Sequence, residues 1–147
     1  MKCPYCRHET TSVINTRGTT HDTQIWRRRR CTHCQAIFTT YERPDLGHIK
    51  VRKKSGQKER YSRAKLFAGI YNSHLSSPDK ETAVDQLTSR IESLILDLQK
   101  KEIDSKELAS LVLHELARSS PVAFARFLAY NTNPKSIAEI KRQINKY

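Results

Sequence analysis

The stretches Cys3-Pro4-Tyr5-Cys6 and Cys31-Thr32-His33-Cys34 decide how the first part of this chain folds, and they contain all four of its cysteines. A CxxC pair directs two sulfurs at one ion from a tight turn, and two pairs supply the thiolates of a closed tetrahedral zinc site. The 24 residues between the pairs exceed the usual spacing of about 15 to 20 residues. We therefore predict a hairpin or an extended arm between two knuckles that hold one structural zinc ion through Cys3, Cys6, Cys31 and Cys34.

Disulfide bonds and a redox-active CxxC are the alternatives for these cysteines. No apolar signal segment precedes Cys3 and no βαβ pattern surrounds either pair, so both alternatives are disfavoured. His8 and His33 lie beside the knuckles and could replace a sulfur, but four cysteines already complete the coordination shell. Because four protein ligands leave no open position for a catalytic water, the metal is expected to stabilise the fold.

Composition and charge narrow the class of protein. The chain has 147 residues and a formal net charge of +12, with no apolar run long enough to span a membrane. These properties predict a soluble cytoplasmic protein with an anionic partner. Near position 50, cysteines and β-type runs give way to apolar residues at helical spacing. We predict an α+β chain with a small β zinc ribbon over 1–46, a linker around 44–47, and a mostly helical domain over 47–147 that begins with a β-hairpin.

Strands and helices are predicted from residue type, period and start signals. Short β-type runs occur at 12–14 and 36–41, and a first helix is expected over about 62–74. A second helix shows apolar residues every three or four positions, at Val84, Leu87, Ile91, Leu94, Ile95 and Leu98. Start signals for the second to fifth helices are Ser77-Pro78, the capping-box pair Asp104 and Glu107, Ser120-Pro121 and Asn133-Pro134.

Four consecutive arginines abut the second CxxC pair. On an extended strand they would point alternately to the two faces, so either face could contact phosphates or base edges. The planar guanidinium group pairs with phosphate oxygens or with the groove edge of guanine. A solvated charge run is the ordinary alternative, but arginines held by a zinc hairpin lose less entropy on binding than mobile ones. We predict a nucleic-acid-binding surface formed by Arg27, Arg28, Arg29 and Arg30, which Arg17 could extend.

A second anion-binding segment is expected between Lys50 and Lys65, where eight basic residues accompany a single acid, Glu59. Ser55-Gly56 is a turn signal, so we predict a hairpin over 51–61 that leads into a helix N-terminus. Free backbone N–H groups at a helix start bind phosphate, and lysines there would neutralise a triphosphate. The sequence has no GxxxxGK[ST] and no GxGxxG motif, so a nucleotide would bind without a P-loop or Rossmann turn. General attraction to nucleic acid is the competing explanation.

Taken in order, these motifs resemble the NrdR family of bacterial transcriptional repressors. In the first half the CxxC pairs, the arginine run and Phe38-Thr39-Thr40-Tyr41-Glu42 carry the resemblance. In the second half, 51–56 with Glu59 and Lys65-Leu66 is similar to the opening of an ATP-cone domain, and 122–127 to its later signature. The resemblance implies a zinc ribbon that binds paired operator boxes in double-stranded DNA upstream of ribonucleotide reductase genes. It also implies a cone that binds ATP and dATP and sets the oligomeric state.

The resemblance places the nucleotide at five positions of this sequence: Val51, Lys53, Lys54, Glu59 and Lys65. The lysines would contact phosphates, whereas Glu59 would meet a sugar, a base or a neighbouring lysine. The chain departs from the family at Arg60-Tyr61, where Pro-Phe is usual, at 128–132, where Ala-Ser-Val-Tyr-Arg is usual, and at 15–17, where Asp-Ser-Arg is common. The first two departures bear on nucleotide preference and subunit contacts, because a lost arginine removes a fixed charge.

The resulting hypothesis is a nucleotide-responsive repressor in the bacterial cytoplasm, associated with the nucleoid. A bound nucleotide would favour one packing of cone against cone, which spaces the ribbons for two operator boxes, and another nucleotide state would misplace them. An enzyme is disfavoured because the sequence offers no open metal position and no nucleophile with a positioned base. A zinc-dependent RNA-binding protein without a nucleotide switch is the remaining alternative.

Overall fold

A computed structural model of the protein describes residues 1–18, 24–74, 79–132 and 134–147. The chain divides into two units, Met1–Asp45 and Leu46–Tyr147, which are described separately below. Within the described residues, the first unit contains strands and turns, and the second contains a small sheet and the helices. This is the predicted α+β class, with a β ribbon followed by a mostly helical domain. None of the helices in the described parts of the chain is long and apolar enough to cross a bilayer.

The first unit is a three-stranded antiparallel sheet in the order β1-β2-β3. Its strands are β1 (Thr11–Gly18), β2 (Ile25–Cys31) and β3 (Ile37–Glu42). The arginine run therefore lies on the central strand, as predicted, and the second CxxC pair begins at its last residue. The pairing of β1 with β2 shifts register between Val13 and Asn15. Because direct partners across an antiparallel sheet share a face, this register fixes which side chains accompany each arginine.

The second unit begins with the predicted hairpin. Strands β4 (Lys50–Arg52) and β5 (Lys58–Arg60) pair antiparallel, and the turn between them contains Gly56 at φ 85°, a conformation that favours glycine. A third strand, β6 (Glu102–Asp104), pairs parallel with β4 on the other side. Strand β6 was not predicted, because three residues between two helices are too few to show a period of two.

Five helices follow or separate these strands within the described residues: α1 (Arg63–Ser73), α2 (Lys80–Asp97), α3 (Ser105–Ser119), α4 (Pro121–Thr132) and α5 (Ile137–Ile144). The expected number of helices is thus confirmed. The predicted start at Ser77-Pro78 and the residue Asn133 lie outside the described residues. The last helix begins at Ile137, later than predicted, because Ser136, whose hydroxyl accepts from the Glu139 N–H, caps it.

The start signals of α1, α3 and α4 had different outcomes. The Ser62 hydroxyl accepts from the Lys65 N–H at the start of α1, and the Ser120 hydroxyl accepts from the Ala123 N–H at the start of α4, each at 3.4 Å. Asp104 is the N-cap of α3, so the predicted start is confirmed, but the capping box is wrong because Asp104 makes no side-chain cap bond. Arg52 and Lys100 bind these two carboxylates instead. Charge-assisted bonds to these cations therefore replace the side-chain hydrogen bonds of a capping box.

The core of the second unit lies between the inner face of the small sheet and the apolar stripes of the helices. Val51 and Ile103 contribute from the sheet, and fully buried Ile70, Ile91 and Leu116 from α1, α2 and α3. The stripes predicted from helical spacing are therefore core, as expected. Packing of Val51 and Ile103 holds the hairpin against the helices, which places the basic residues of the hairpin next to the N-terminus of α1.

Candidate metal centre, nucleic-acid face and nucleotide site

The four predicted metal ligands come together in the first unit. The Sγ atoms of Cys3, Cys6, Cys31 and Cys34 all lie within 4.8 Å of one another. The Cys3–Cys34 and Cys6–Cys31 sulfur pairs are 3.7 and 3.6 Å apart. A disulfide would bring two sulfurs to about 2.0 Å, whereas a tetrahedral zinc ion with bonds of about 2.3 Å separates its sulfurs by about 3.8 Å. The sulfur positions fit zinc.

The two knuckles repeat each other in backbone conformation. Arg7 and Gln35, the residues after each pair, adopt φ of 62° and 60°. The first cysteine of each pair donates its N–H five residues ahead, Cys3 to the carbonyl of His8 at 2.8 Å and Cys31 to that of Ala36 at 3.0 Å. Neither positive-φ residue is glycine, so the sequence carried no signal for these turns. Equivalent turns deliver two sulfurs each toward one point.

The thiols influence one another's ionisation. Burial opposes the thiolate of Cys31, but backbone N–H groups of Cys34 and His33 and the nearby thiols outweigh it and lower the pKa of Cys31 to about 6. At Cys34 the Ala36 N–H favours the thiolate, yet burial and the neighbouring sulfurs raise the pKa to about 12. Cys31 and Cys34 thus lose their protons at different pH, and a divalent cation bound by the four cysteines would favour their thiolate forms. His8 and His33 stack on each other, with ring centroids 5.3 Å apart.

The strand β2 separates the predicted arginines into two faces. Arg28 and Arg30 are exposed on the same face as Trp26. The cross-strand partners of Trp26 are Arg17 on β1 and Tyr41 on β3. We call this face, formed by Arg17, Trp26, Arg28, Arg30 and Tyr41, the open face. The Arg17 guanidinium carbon lies 5.7 Å from the Trp26 ring centroid, and Tyr41 is 58% exposed.

The opposite face of β2 carries the other two arginines of the run. Arg27 and Arg29 both reach Glu42, at 3.0 and 3.6 Å, and the Arg29 Nε also donates to the Thr40 hydroxyl at 3.1 Å. Their side chains are only 31% and 15% exposed. The structure therefore brings Arg17, Arg28 and Arg30 together and uses Arg27 and Arg29 within the sheet. The alternation of the arginines between the two faces of the strand was predictable, but their pairing with Glu42 depends on the register between β2 and β3.

The predicted nucleotide residues lie where the hairpin meets α1. Val51 and Glu59 are direct partners across the hairpin, so both side chains face the helices. The side chain of Val51 is buried. Lys53 donates to one oxygen of Glu59 and Lys65, in the first turn of α1, to the other, each at 2.8 Å. Hydrogen bonds from Lys53 and Lys65 lower the pKa of the Glu59 carboxyl. Val51 offers no polar group from its side chain and forms the floor of the site.

Lys54, the remaining one of the five predicted nucleotide residues, contacts a different element. Its ammonium donates to the backbone carbonyl of Asn131 at 3.1 Å, close to the C-terminus of α4. Asn131 belongs to the segment 128–132 that departs from the family pattern, and its neighbour Tyr130 is 87% exposed. The departing segment therefore contacts one of the predicted nucleotide residues.

The other departure, Arg60-Tyr61, leads to a buried network that the sequence did not reveal. The Tyr61 hydroxyl donates to Glu92 at 2.9 Å, and Arg63 pairs with the other oxygen of Glu92. Arg63 also donates to the Asp85 carboxylate at 2.7 Å. Glu92 is only 7% exposed. In the sequence, Arg63 was one cation of a basic run, and only tertiary contacts distinguish it from its neighbours. The network fastens the start of α1 to α2.

Removing this network should destabilise the second unit. Breaking a buried ion pair leaves a charge without compensation, so Arg63→Met is expected to lower the free energy of unfolding by about 3 kcal/mol. Tyr61→Phe, which removes one hydrogen bond, should cost about 1 kcal/mol. Urea unfolding followed by helical circular dichroism measures both, since the helices lie in the second unit. Arg126→Met, at an exposed position of α4, is the control, and an equal loss there would contradict the assignment.

Comparisons with known proteins agree with this geometry. Residues 1–42 match the family described as "Transcriptional repressor NrdR-like, N-terminal domain", and residues 49–135 match the ATP cone domain. A transcriptional repressor NrdR of Albidiferax ferrireducens is 38% identical over 99% of this chain and 97% of its own length. One of Kosmotoga olearia is 42% identical over 86% of this chain and 80% of its own length.

The chain belongs to the NrdR family. The family identification made from the motifs is confirmed, as are the zinc ribbon and the ATP cone. A further NrdR repressor, of Cupriavidus metallidurans, is 34% identical over the whole chain, so the likeness extends through both units. The ATP-cone match ends at residue 135, before α5 begins. A zinc ribbon with a cluster of four cysteines and an ATP-cone domain are thus present together in this NrdR chain.

Proposed function

We propose that the chain represses transcription of ribonucleotide reductase genes, with adenine nucleotides controlling its affinity for operator DNA. Residues 1–46 would be the DNA-binding domain and residues 47–147 the regulatory domain. The observation that carries the proposal is the presence, in one NrdR chain, of an arginine-bearing four-sulfur sheet and a lysine-lined ATP-cone site. Neither role requires a reaction, so the protein would act as a regulator rather than as an enzyme, in the cytoplasm and at the nucleoid.

The open face supports the DNA-binding part of the proposal. Its exposed Arg28 and Arg30 have no carboxylate partner among the described residues, and Arg17 lies over Trp26 on the same face. Guanidinium groups in this arrangement suit phosphates and guanine edges of a duplex. On the other face, Arg27 and Arg29 would brace Glu42 and β3 rather than contact DNA directly. A structural zinc ion held by the cysteines would keep the strand rigid.

The cone site supports the nucleotide part. Lys53, Lys54 and Lys65 surround a floor formed by Val51, beside the N-terminus of α1. This arrangement would place a triphosphate of ATP or dATP against cations and free N–H groups. A nucleotide that favours one assembly of cones would set the distance between two ribbons and thereby change their joint affinity for paired operator boxes.

An exposed apolar stripe on α5 supports self-association. Ile137, Ile140 and Ile144 recur at helical spacing and remain 73%, 37% and 46% exposed. Exposed apolar stripes of this kind mark surfaces that bind another protein surface. We propose that a second copy of the cone covers this stripe in at least one nucleotide state, and that the state of assembly depends on which adenine nucleotide is bound.

Substitution of Lys53 tests the nucleotide part of the proposal. Lys53→Ala should weaken ATP and dATP binding by about tenfold or more, because a charge-assisted contact to phosphate is lost, while the zinc content stays unchanged. Operator affinity should then no longer respond to nucleotide. Lys58→Ala is the control, since Lys58 pairs with Glu102 away from the site. Isothermal titration and fluorescence anisotropy on the full chain give both readouts. Normal nucleotide response in Lys53→Ala would contradict the proposed site.

A further inference from the structure

The Glu59 carboxylate occupies the place where the cone lysines would otherwise hold an anion. One oxygen accepts from Lys53 and the other from Lys65, each at 2.8 Å. The two lysines come from different elements, the end of the hairpin and the first turn of α1. A carboxylate bridging two ammonium groups presents one negative charge and two oxygens, and so takes the place that two oxygens of a phosphate would take. In the ligand-free cone both lysines are therefore already paired with one carboxylate, which offsets one of their two positive charges.

Any phosphate that binds here must displace Glu59 from these lysines. A single phosphate would contact the same two lysines as the carboxylate and would add few contacts beyond them. A chain of adjacent phosphates offers additional oxygens, which the free N–H groups of α1 and Lys54, now bound to a backbone carbonyl of Asn131, can reach. Only a ligand with several linked phosphates would therefore gain enough to replace Glu59.

We propose that Glu59 is an internal counter-ion that makes the cone selective for ligands carrying at least two adjacent phosphates. The inference rests on the proposed nucleotide site and deepens it, because it names the residue that sets phosphate selectivity. On ligand binding, Glu59 leaves the lysines and its negative charge stays close to the phosphates. Each bound phosphate chain is thus opposed by the displaced carboxylate.

The alternative role of Glu59 is to hold the sugar or base of a nucleotide. The two roles differ in a simple way, because inorganic tripolyphosphate has phosphates but no sugar and no base. If Glu59 opposes phosphates, removing its charge strengthens binding of tripolyphosphate as well as ATP. If Glu59 binds ribose, removing its carboxylate weakens ATP and leaves tripolyphosphate unchanged.

Titration calorimetry on the zinc-loaded full chain tests the inference, with ATP, AMP, inorganic tripolyphosphate and inorganic orthophosphate as probes. Glu59→Gln is expected to bind tripolyphosphate and ATP about tenfold more tightly than the unsubstituted chain. AMP and orthophosphate should gain more, so the preference for tripolyphosphate over orthophosphate should fall. The affinities of Glu59→Ala should change in the same direction. Agreement between the two variants would show that the effect does not come from the glutamine amide.

Glu102→Gln is the matched control, because Glu102 pairs with Lys58 and Arg52 in the same small sheet. Its affinities should stay within about twofold of the unsubstituted chain. Unchanged or weaker tripolyphosphate binding in both Glu59 variants, with ATP still bound by the unsubstituted chain, would overturn the inference alone. If the unsubstituted chain binds neither ATP nor tripolyphosphate, the proposed function fails and the inference falls with it.

Discussion

Replacing Cys31 by serine is expected to remove the bound zinc and to unfold the N-terminal sheet. The Cys31 side chain is fully buried at the end of β2, and its sulfur lies 3.6 Å from that of Cys6. A serine hydroxyl does not ionise near neutral pH, so it cannot replace the thiolate. Because the binding free energy of a structural zinc ion is also folding free energy, a unit of this size should lose its sheet with the metal.

Metal analysis by mass spectrometry, together with operator binding, checks this prediction. The unsubstituted chain should carry about one zinc per chain, and Cys31→Ser should carry almost none and lose operator binding. His33→Ala is the control. His33 lies within the same knuckle, but its ring stacks on His8 rather than belonging to the sulfur cluster. A full equivalent of zinc in Cys31→Ser, or loss of zinc in His33→Ala, would contradict the four-cysteine assignment.

The double substitution Arg28→Ala with Arg30→Ala is expected to weaken operator binding by at least about 30-fold, if each arginine contributes about 1–3 kcal/mol. Both side chains are exposed on the open face, so the substitution removes cations without breaking a bond inside the sheet. If both contact phosphates, the slope of log affinity against log salt should fall by about two. Fluorescence anisotropy over a salt series measures the affinity and the slope.

Arg27→Ala separates this prediction from a general effect of charge. Arg27 lies on the same strand but on the other face, where it pairs with Glu42 at 3.0 Å. The Arg27→Ala substitution removes one positive charge. If binding to the operator depended only on net charge, each arginine would contribute a similar affinity on either face. We expect a loss of less than about threefold for Arg27→Ala. Equal losses per arginine on the two faces would show that the open face is not the binding surface.

The parts of the structure that depend on local sequence were the ones predicted well. Each CxxC pair fixes its sulfurs within one tight turn, so the metal ligands followed from spacing alone. The five helices followed from apolar spacing over eight or more residues, and the hairpin from the Ser55-Gly56 turn. Strand β6 was missed because it acquires its identity only by pairing with β4.

Features that depend on which partner a side chain meets were not predictable. Asp104 and Glu107 had the spacing of a capping box, but Arg52 and Lys100 bind their carboxylates. Arg63 resembled its basic neighbours in sequence, and its partner Glu92 comes from a different helix. Arg27 and Arg28 are adjacent, yet only the register with β3 places Glu42 within reach of Arg27. Long-range contacts decided these roles, and sequence patterns describe only short-range ones.

Nucleotide binding to the cone is expected to change operator binding by the ribbon. Light scattering and operator anisotropy on the zinc-loaded chain, without nucleotide, with ATP, and with ATP plus dATP, measure this coupling. We expect mass and operator affinity to change together between at least two states, with affinity changing by about fivefold or more. Equal affinity for the operator in all three states, or equal affinity for operator and scrambled duplex, would contradict it.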